Sequence, residues 1–128
     1  MRLLLDTHSF LWFIAGSDKI SVAARELIED SANEPLLSIA SLWEMAIKVS
    51  IGKLKLAHPF ETLIPEQMKL NGIGTLNIRV EHVSQVVQLP FHHRDPFDRL
   101  LIAQALVEDM PIVGADGMFD AYTVTRMW

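Results

Sequence analysis

The chain has 128 residues, 50% of them hydrophobic and 21% charged, which supplies apolar material for one core and places it well away from the disordered class. Its formal net charge of -5 argues against gripping nucleic acid by bulk attraction alone, although bound cations would cancel acid where a phosphate approaches. The absence of cysteine rules out disulfides and thiolate metal sites, so any metal must be held by oxygen or imidazole, which favours magnesium or manganese over structural zinc.

The opening Arg2-Leu3-Leu4-Leu5-Asp6 reads as a short buried strand ending in an acid. Its apolar run is too short for a signal peptide or a membrane span, so a cytoplasmic protein with no membrane partner is expected. Phe10 to Ile14 suggests a helix running to Gly16, and Ser21 caps a second helix whose apolar residues recur at helical spacing through Ile28. Pro35 to Ile39 is the next strand. It leads to a helix over Leu42 to Val49, closed by Gly52, with Ser41 and Glu44 placed as a capping box. Phe60 to Leu70 predicts a helix in which Pro65 must sit at a break or in a first turn. Gly74 to Ile78 is a third strand and Glu81 to Leu89 a further helix. After a loop over Pro90 to Asp95, Pro96 to Glu108 is a helix with Asp95 as cap and proline at its first position. Pro111 to Gly114 forms a fourth strand, and Tyr122 to Val124 a short fifth. Short apolar strands alternating with helices predict one α/β domain over residues 1–128, its parallel sheet covered on both faces.

Ligands of open parallel sheets bind outside the carboxyl ends of the strands. Asp6 ends the first strand and Asp116 follows the fourth, so two acids reach one rim from distant parts of the chain. Glu44 and Asp98 fall in the first turns of helices that begin at that rim. Each has a structural alternative: helix-start positions for Glu44 and Asp98, and an ordinary Asp-Gly turn for Asp116 and Gly117. Asp6 has no comparable local job. Four acids together would repel one another without cations, and oxygen-ligated divalent metal would make them a site for phosphoryl-ester hydrolysis.

Around them, Arg99 and Lys48 are candidates for contact with a substrate phosphate, against surface or ion-pair alternatives. Thr7 and Ser38 could hydrogen-bond the metal-binding carboxylates, and Asp95 could join the cluster or serve only as a helix cap. His92 and His93, adjacent in a loop, are expected to be solvated. Trp12, Phe13, Trp43 and Phe97 are expected in the core or in a subunit interface. A phospho-acceptor receiver would need a lysine after the last strand, and none follows Asp116. A haloacid-dehalogenase-type phosphatase would need an acid at position 8, where His8 stands. A binding module of the same fold without catalysis is the remaining alternative.

At these residues the sequence resembles the PIN-domain ribonucleases, specifically the VapC toxins of type II toxin–antitoxin pairs. The resemblance lies in Leu3 to His8, Ser38 to Lys48, Ile51 to Leu54, His93 to Ala105, and Val113 to Asp116 with Phe119 and Tyr122 beyond, so it spans nearly the whole chain. The block around Asp98 is its most specific part. The resemblance implies a three-layer α/β/α domain around a parallel sheet, with a magnesium-dependent endoribonuclease site (manganese may substitute) made by Asp6, Glu44, Asp98 and Asp116. It also implies an RNA substrate, a homodimer, and inhibition by a cognate antitoxin. Gly114-Ala115-Asp116 departs from the family in lacking the threonine or serine that often precedes the last acid.

Overall fold

A computed structural model describes residues 1–128. Five strands, β1 (Arg2–Leu5), β2 (Glu34–Ser38), β3 (Gly74–Leu76), β4 (Ile112–Val113) and β5 (Arg126–Met127), form one sheet in the order β3-β2-β1-β4-β5. Every pairing in it is parallel. Six helices accompany it: α1 (Thr7–Ile14), α2 (Val22–Glu29), α3 (Ile39–Ser50), α4 (Phe60–Leu70), α5 (Val80–Gln88) and α6 (Pro96–Glu108). The expected α/β class with a central parallel sheet is what the chain adopts.

The strands read as unbroken apolar runs because both faces are covered. Successive side chains point to opposite faces. Leu4, Leu36, Leu76 and Ile112 pack on Leu101, Ile102 and Ala105 of α6 and on Leu89 behind α5. Leu3, Leu5, Leu37 and Val113 pack the other way, on Phe10 of α1, Ala24 and Ile28 of α2, and Ile64 and Met68 of α4. Removing one such side chain, as in Leu5→Ala, costs about 2–5 kcal/mol through lost burial and the cavity left behind.

Caps set several helix starts. The Ser21 hydroxyl accepts from the Ala24 amide at 3.0 Å, as expected. Asp95 Oδ1 accepts from the amides of Phe97 and Asp98 at 2.8 and 3.2 Å, with Pro96 at the first helical position.

Three expectations need correction. Helix α3 starts at Ile39 directly after β2, with Ser38 as its cap, and not at Leu42 behind Ser41. Glu44 therefore lies in the second turn and takes no part in a capping box; the Ser41 hydroxyl sits 2.9 Å from that of Thr7 instead. Helix α4 runs through Pro65 without a break, because Ile64 and Met68 on its inner face are held in the core. The fifth strand is Arg126–Met127 and not Tyr122 to Val124. A 3-10 helix over Gly117–Ala121 takes up the chain after β4 and buries Tyr122, so the residues that reach alignment with Ile112 and Val113 are Arg126 and Met127.

Candidate active site

The chain builds outward from β1 to β3 and then returns to the other side of β1 for β4, which puts the topological switch point at the carboxyl ends of β1 and β4. Asp6 follows β1, and its backbone N–H donates to Val113 O at 2.9 Å, which ties it to the end of β4. Gly114 permits the close approach. A Cβ there would stand 3.2 Å from Asp6 Cβ and 3.2 Å from the Phe119 ring. Asp116 arrives from β4, Glu44 from the second turn of α3 and Asp98 from the third position of α6. Together with Thr7, His8, Lys48, Asp95 and Phe119 they line a pocket of about 110 Å³. The four acids singled out from the sequence thus meet at one place.

Each carboxylate is held differently. Asp6 has the backbone of an N-cap for α1, yet its side chain makes no capping hydrogen bond and stays turned to the pocket. Burial pushes its carboxyl up to about 6, the charges of Glu44 and Asp116 add to this, and the nearby amides of Thr7 and His8 offset part of it. Burial likewise raises Asp98 to about 7, followed by the charges of Asp95, Asp6 and Glu44, with His93 acting in the opposite sense. Glu44 is buried and bonded at both oxygens: the Thr7 hydroxyl donates to Oε1 at 2.9 Å and Lys48 Nζ to Oε2 at 2.9 Å. That hydrogen bond is the main reason the Lys48 ammonium lies above its usual range. Asp116 spends Oδ1 on the Met118 amide at 2.9 Å, starting the 3-10 helix.

The surrounding candidates separate into two groups. Thr7, Lys48 and Asp95 line the pocket; Thr7 and Lys48 orient Glu44, and Asp95 caps α6 while facing Asp98 electrostatically. Ser38 and Arg99 do not line it. The buried Ser38 hydroxyl caps α3 and donates to Gln104 Oε1, not to a site carboxylate. Arg99 is buried beneath the loop after α5, donating to the carbonyls of Pro90, Val86 and Leu89 at 2.8, 3.2 and 3.3 Å. Its guanidinium carbon lies 4.1 Å from the centre of the Phe91 ring. With its donors so engaged, Arg99 organises the end of α5 and does not face the acids.

His93 is not the solvated loop residue expected from the sequence. Its side chain is only 8% exposed, stacked on Phe119 and Tyr122, with Nε2 3.5 Å from Asp116 Oδ2. Its one sequence signal was its place two residues before Asp95. His92, by contrast, is exposed as expected. Of the aromatic residues, Trp43 is 61% exposed and packs edge-on against Phe97, so it lies outside the core.

Five carboxylates therefore line a small pocket with a single ammonium, Lys48, which is already committed to Glu44. Such a set suits a divalent cation. Burial, with the charges of the neighbouring acids, makes two of the carboxyls hold their protons unusually well, and both ring nitrogens of His93 are buried without a hydrogen-bond partner. An oxygen-rich donor set with one imidazole beside it fits magnesium or manganese.

Comparison with known proteins bears on the fold and the family. The sequence profile of the PIN domain matches residues 3–124. Ribonuclease VapC22 of Mycobacterium tuberculosis (strain ATCC 25618 / H37Rv) is 30% identical over 115 residues, 89% of this chain and 86% of that protein. Ribonuclease VapC16 of the same organism is 35% identical over 60 residues, 47% of this chain and 43% of its own length, so the chain spans less than half of that relative. Among solved structures, VapBC2 from Rickettsia felis, bound to a DNA fragment from its promoter, superposes with a TM-score of 0.71 at 14% identity, covering 99% of this chain and 98% of the other. At that identity the likeness concerns the fold.

Proposed function

The chain belongs to the PIN domain family, and on that premise we propose that it is a magnesium-dependent endoribonuclease, the VapC-type toxin of a type II toxin–antitoxin pair. The observation that carries this reading is the meeting of Asp6, Glu44, Asp98 and Asp116 from four separate elements in one pocket, with two of them short of compensating charge. That the relatives carry the name ribonuclease supports the reaction class.

In this reading the four acids hold magnesium, with manganese as a substitute. When bound, such an ion acidifies water for attack and neutralises charge developing on a phosphodiester. The chain's own residues set the geometry. Thr7 and Lys48 pin the two oxygens of Glu44, Gly114 lets Asp6 close on the end of β4, and Asp95 holds the first turn of α6 so that Asp98 faces inward. Lys48, with its side chain 38% exposed, keeps a cationic edge toward an incoming RNA phosphate.

A second copy and an antitoxin are the proposed partners. A mainly apolar groove of about 590 Å³ shares Thr7, His8 and Lys48 with the acidic pocket and continues past Leu11, Trp12 and Leu54, which offers an inhibitor a foothold beside the acids. The exposed Trp43 and the half-buried Phe13, both outside that groove, are the residues proposed for a homodimer contact. No helix is long and apolar enough to cross a membrane, and the reading is of a cytoplasmic protein.

The test is cleavage of a panel of structured and single-stranded RNAs with magnesium, beside Asp6→Asn and Asp98→Asn. Cleavage by the parent and its loss in both variants is expected. If all three proteins behave alike, the enzyme reading fails. Light scattering at micromolar concentration tests the homodimer, which a monomer without antitoxin would contradict.

A further inference from the structure

His93 is an anomaly beside the acidic pocket, stacked on Phe119 and Tyr122. An imidazole withdrawn from water normally finds a partner for at least one nitrogen, because an unpaired buried polar group costs about 1–3 kcal/mol. Here Nδ1 and Nε2 are both buried and neither has a hydrogen-bond partner. The ring nonetheless has aromatic neighbours. Phe119 and Tyr122 each stack on it with centroids 5.5 Å away and planes within 28° and 26°. The Tyr122 hydroxyl accepts from the backbone amides of His92 and His93 at 3.2 and 2.9 Å, which fixes the loop beneath it. A buried side chain that stacks on aromatic rings and forgoes its own hydrogen bonds is arranged to meet something the protein does not itself supply.

What it faces identifies the class of ligand. Nε2 is 3.5 Å from Asp116 Oδ2, the oxygen left over after Oδ1 has been spent on the Met118 amide. One donor atom each from His93, Asp98 and Asp116 lies within 4.8 Å of the other two, close enough for all three to bind a single ion. We propose that His93 supplies a nitrogen ligand and, with Asp98 and Asp116, forms a mixed nitrogen–oxygen position for a divalent cation at the outer edge of the carboxylate pocket. This rests on the reading of that pocket as a metal site and deepens it. A nitrogen donor discriminates among cations: magnesium takes oxygen almost exclusively, whereas manganese and the later first-row ions accept imidazole readily. His93 thus raises the affinity of this position for manganese above that of an all-oxygen set, while the remaining carboxylates still suit magnesium.

Orientation comes from aromatic stacking, where a metal-bound histidine more commonly gives its second N–H to a carboxylate or carbonyl. Phe119 of the 3-10 helix and Tyr122, which follows that helix, take that task here.

The probe is manganese itself. A continuous-wave paramagnetic resonance titration measures how much the protein binds, and pulsed measurements on the bound ion report nitrogen hyperfine coupling, which an all-oxygen site lacks. Wild type is expected to show that coupling, and His93→Gln to lose it while still binding manganese. Manganese affinity in the variant should fall roughly tenfold, with magnesium affinity by calorimetry changing much less. His8 is the control, since its Nδ1 lies 3.9 Å from Asp6 Oδ2. His8→Gln should keep the coupling, and that result carries the proposal even where His93→Gln fails to fold. Bound manganese without nitrogen coupling, or coupling lost with His8 and kept without His93, overturns the proposal and leaves the metal-site reading standing. No manganese binding at all overturns both.

Discussion

Asp6→Asn offers the most informative perturbation, because in metal-free protein the ionised Asp6 is a burden on the fold. Its carboxyl is buried between Glu44 and Asp116 and is carried from 3.8 to about 6. At about 1.4 kcal/mol per pKa unit, the ionised form costs the folded state about 3 kcal/mol. A folded pKa above the unfolded one means that the native state binds the proton more tightly. The associated stability is therefore fully present below the ordinary carboxylate range and is lost as pH rises through about 6. Asparagine has no such proton to lose. In chelator, Asp6→Asn should match wild type at about pH 4 and become more stable by about 3 kcal/mol near pH 8, read from urea denaturation at several pH values. Because the acids are coupled, part of the slope belongs to Asp98, whose own rise to about 7 includes the charge of Asp6. Magnesium should close most of that gap: at about 100 times its dissociation constant it stabilises wild type by about 2.7 kcal/mol and the variant far less. A gap in chelator that does not change between acid and mildly alkaline pH refutes the reasoning, as does a variant less stable than wild type at high pH.

Substitutions at three further positions separate positioning from packing. Thr7→Val removes the hydroxyl that holds Glu44 Oε1 and should weaken magnesium binding about 10–100-fold by calorimetry, with secondary structure retained. Gly114→Ala places a methyl 3.2 Å from Asp6 Cβ and the Phe119 ring, so it should cost about 1–3 kcal/mol in thermal or urea unfolding and depress RNA cleavage beyond what that loss explains. Arg99→Ala should destabilise the fold by about 2–4 kcal/mol, because three carbonyls lose a charged donor, while the folded fraction keeps its magnesium affinity. Arg99→Lys should restore only a minor part of that stability, since one ammonium cannot serve carbonyls spread across the loop.

Much of the fold was legible along the chain. The uninterrupted apolar runs at Leu3 to Leu5 and Pro35 to Leu37 could only be strands covered on both faces, and Asp95-Pro96 announced α6 to the residue. Asp6 is recognisable because it closes an apolar run where nothing local requires a charge, whereas Asp116 follows its strand in an ordinary Asp-Gly turn and is marked by position alone. Other features depend on what an element meets after it has folded. Nothing local told Ser38 from Ser41 as the cap of α3, because both are serines ahead of a helical run and the choice depended on where β2 ended. Proline inside α4 is tolerated only because Ile64 and Met68 anchor the helix from the core. The fifth strand could be located only by its register against β4.

The same division runs through the site. Residue type and position along the chain determined which acids could reach the rim, since a carboxylate at a strand end or in a helix start is a local fact. Which other side chains attend them was decided in three dimensions. Arg99, adjacent to Asp98, turns to the carbonyls behind α5, and His93, five residues before Asp98, turns in between Phe119 and Tyr122 to reach Asp116. A side chain's partners are chosen by the packing of elements far apart in sequence, and the chain order alone does not carry that information.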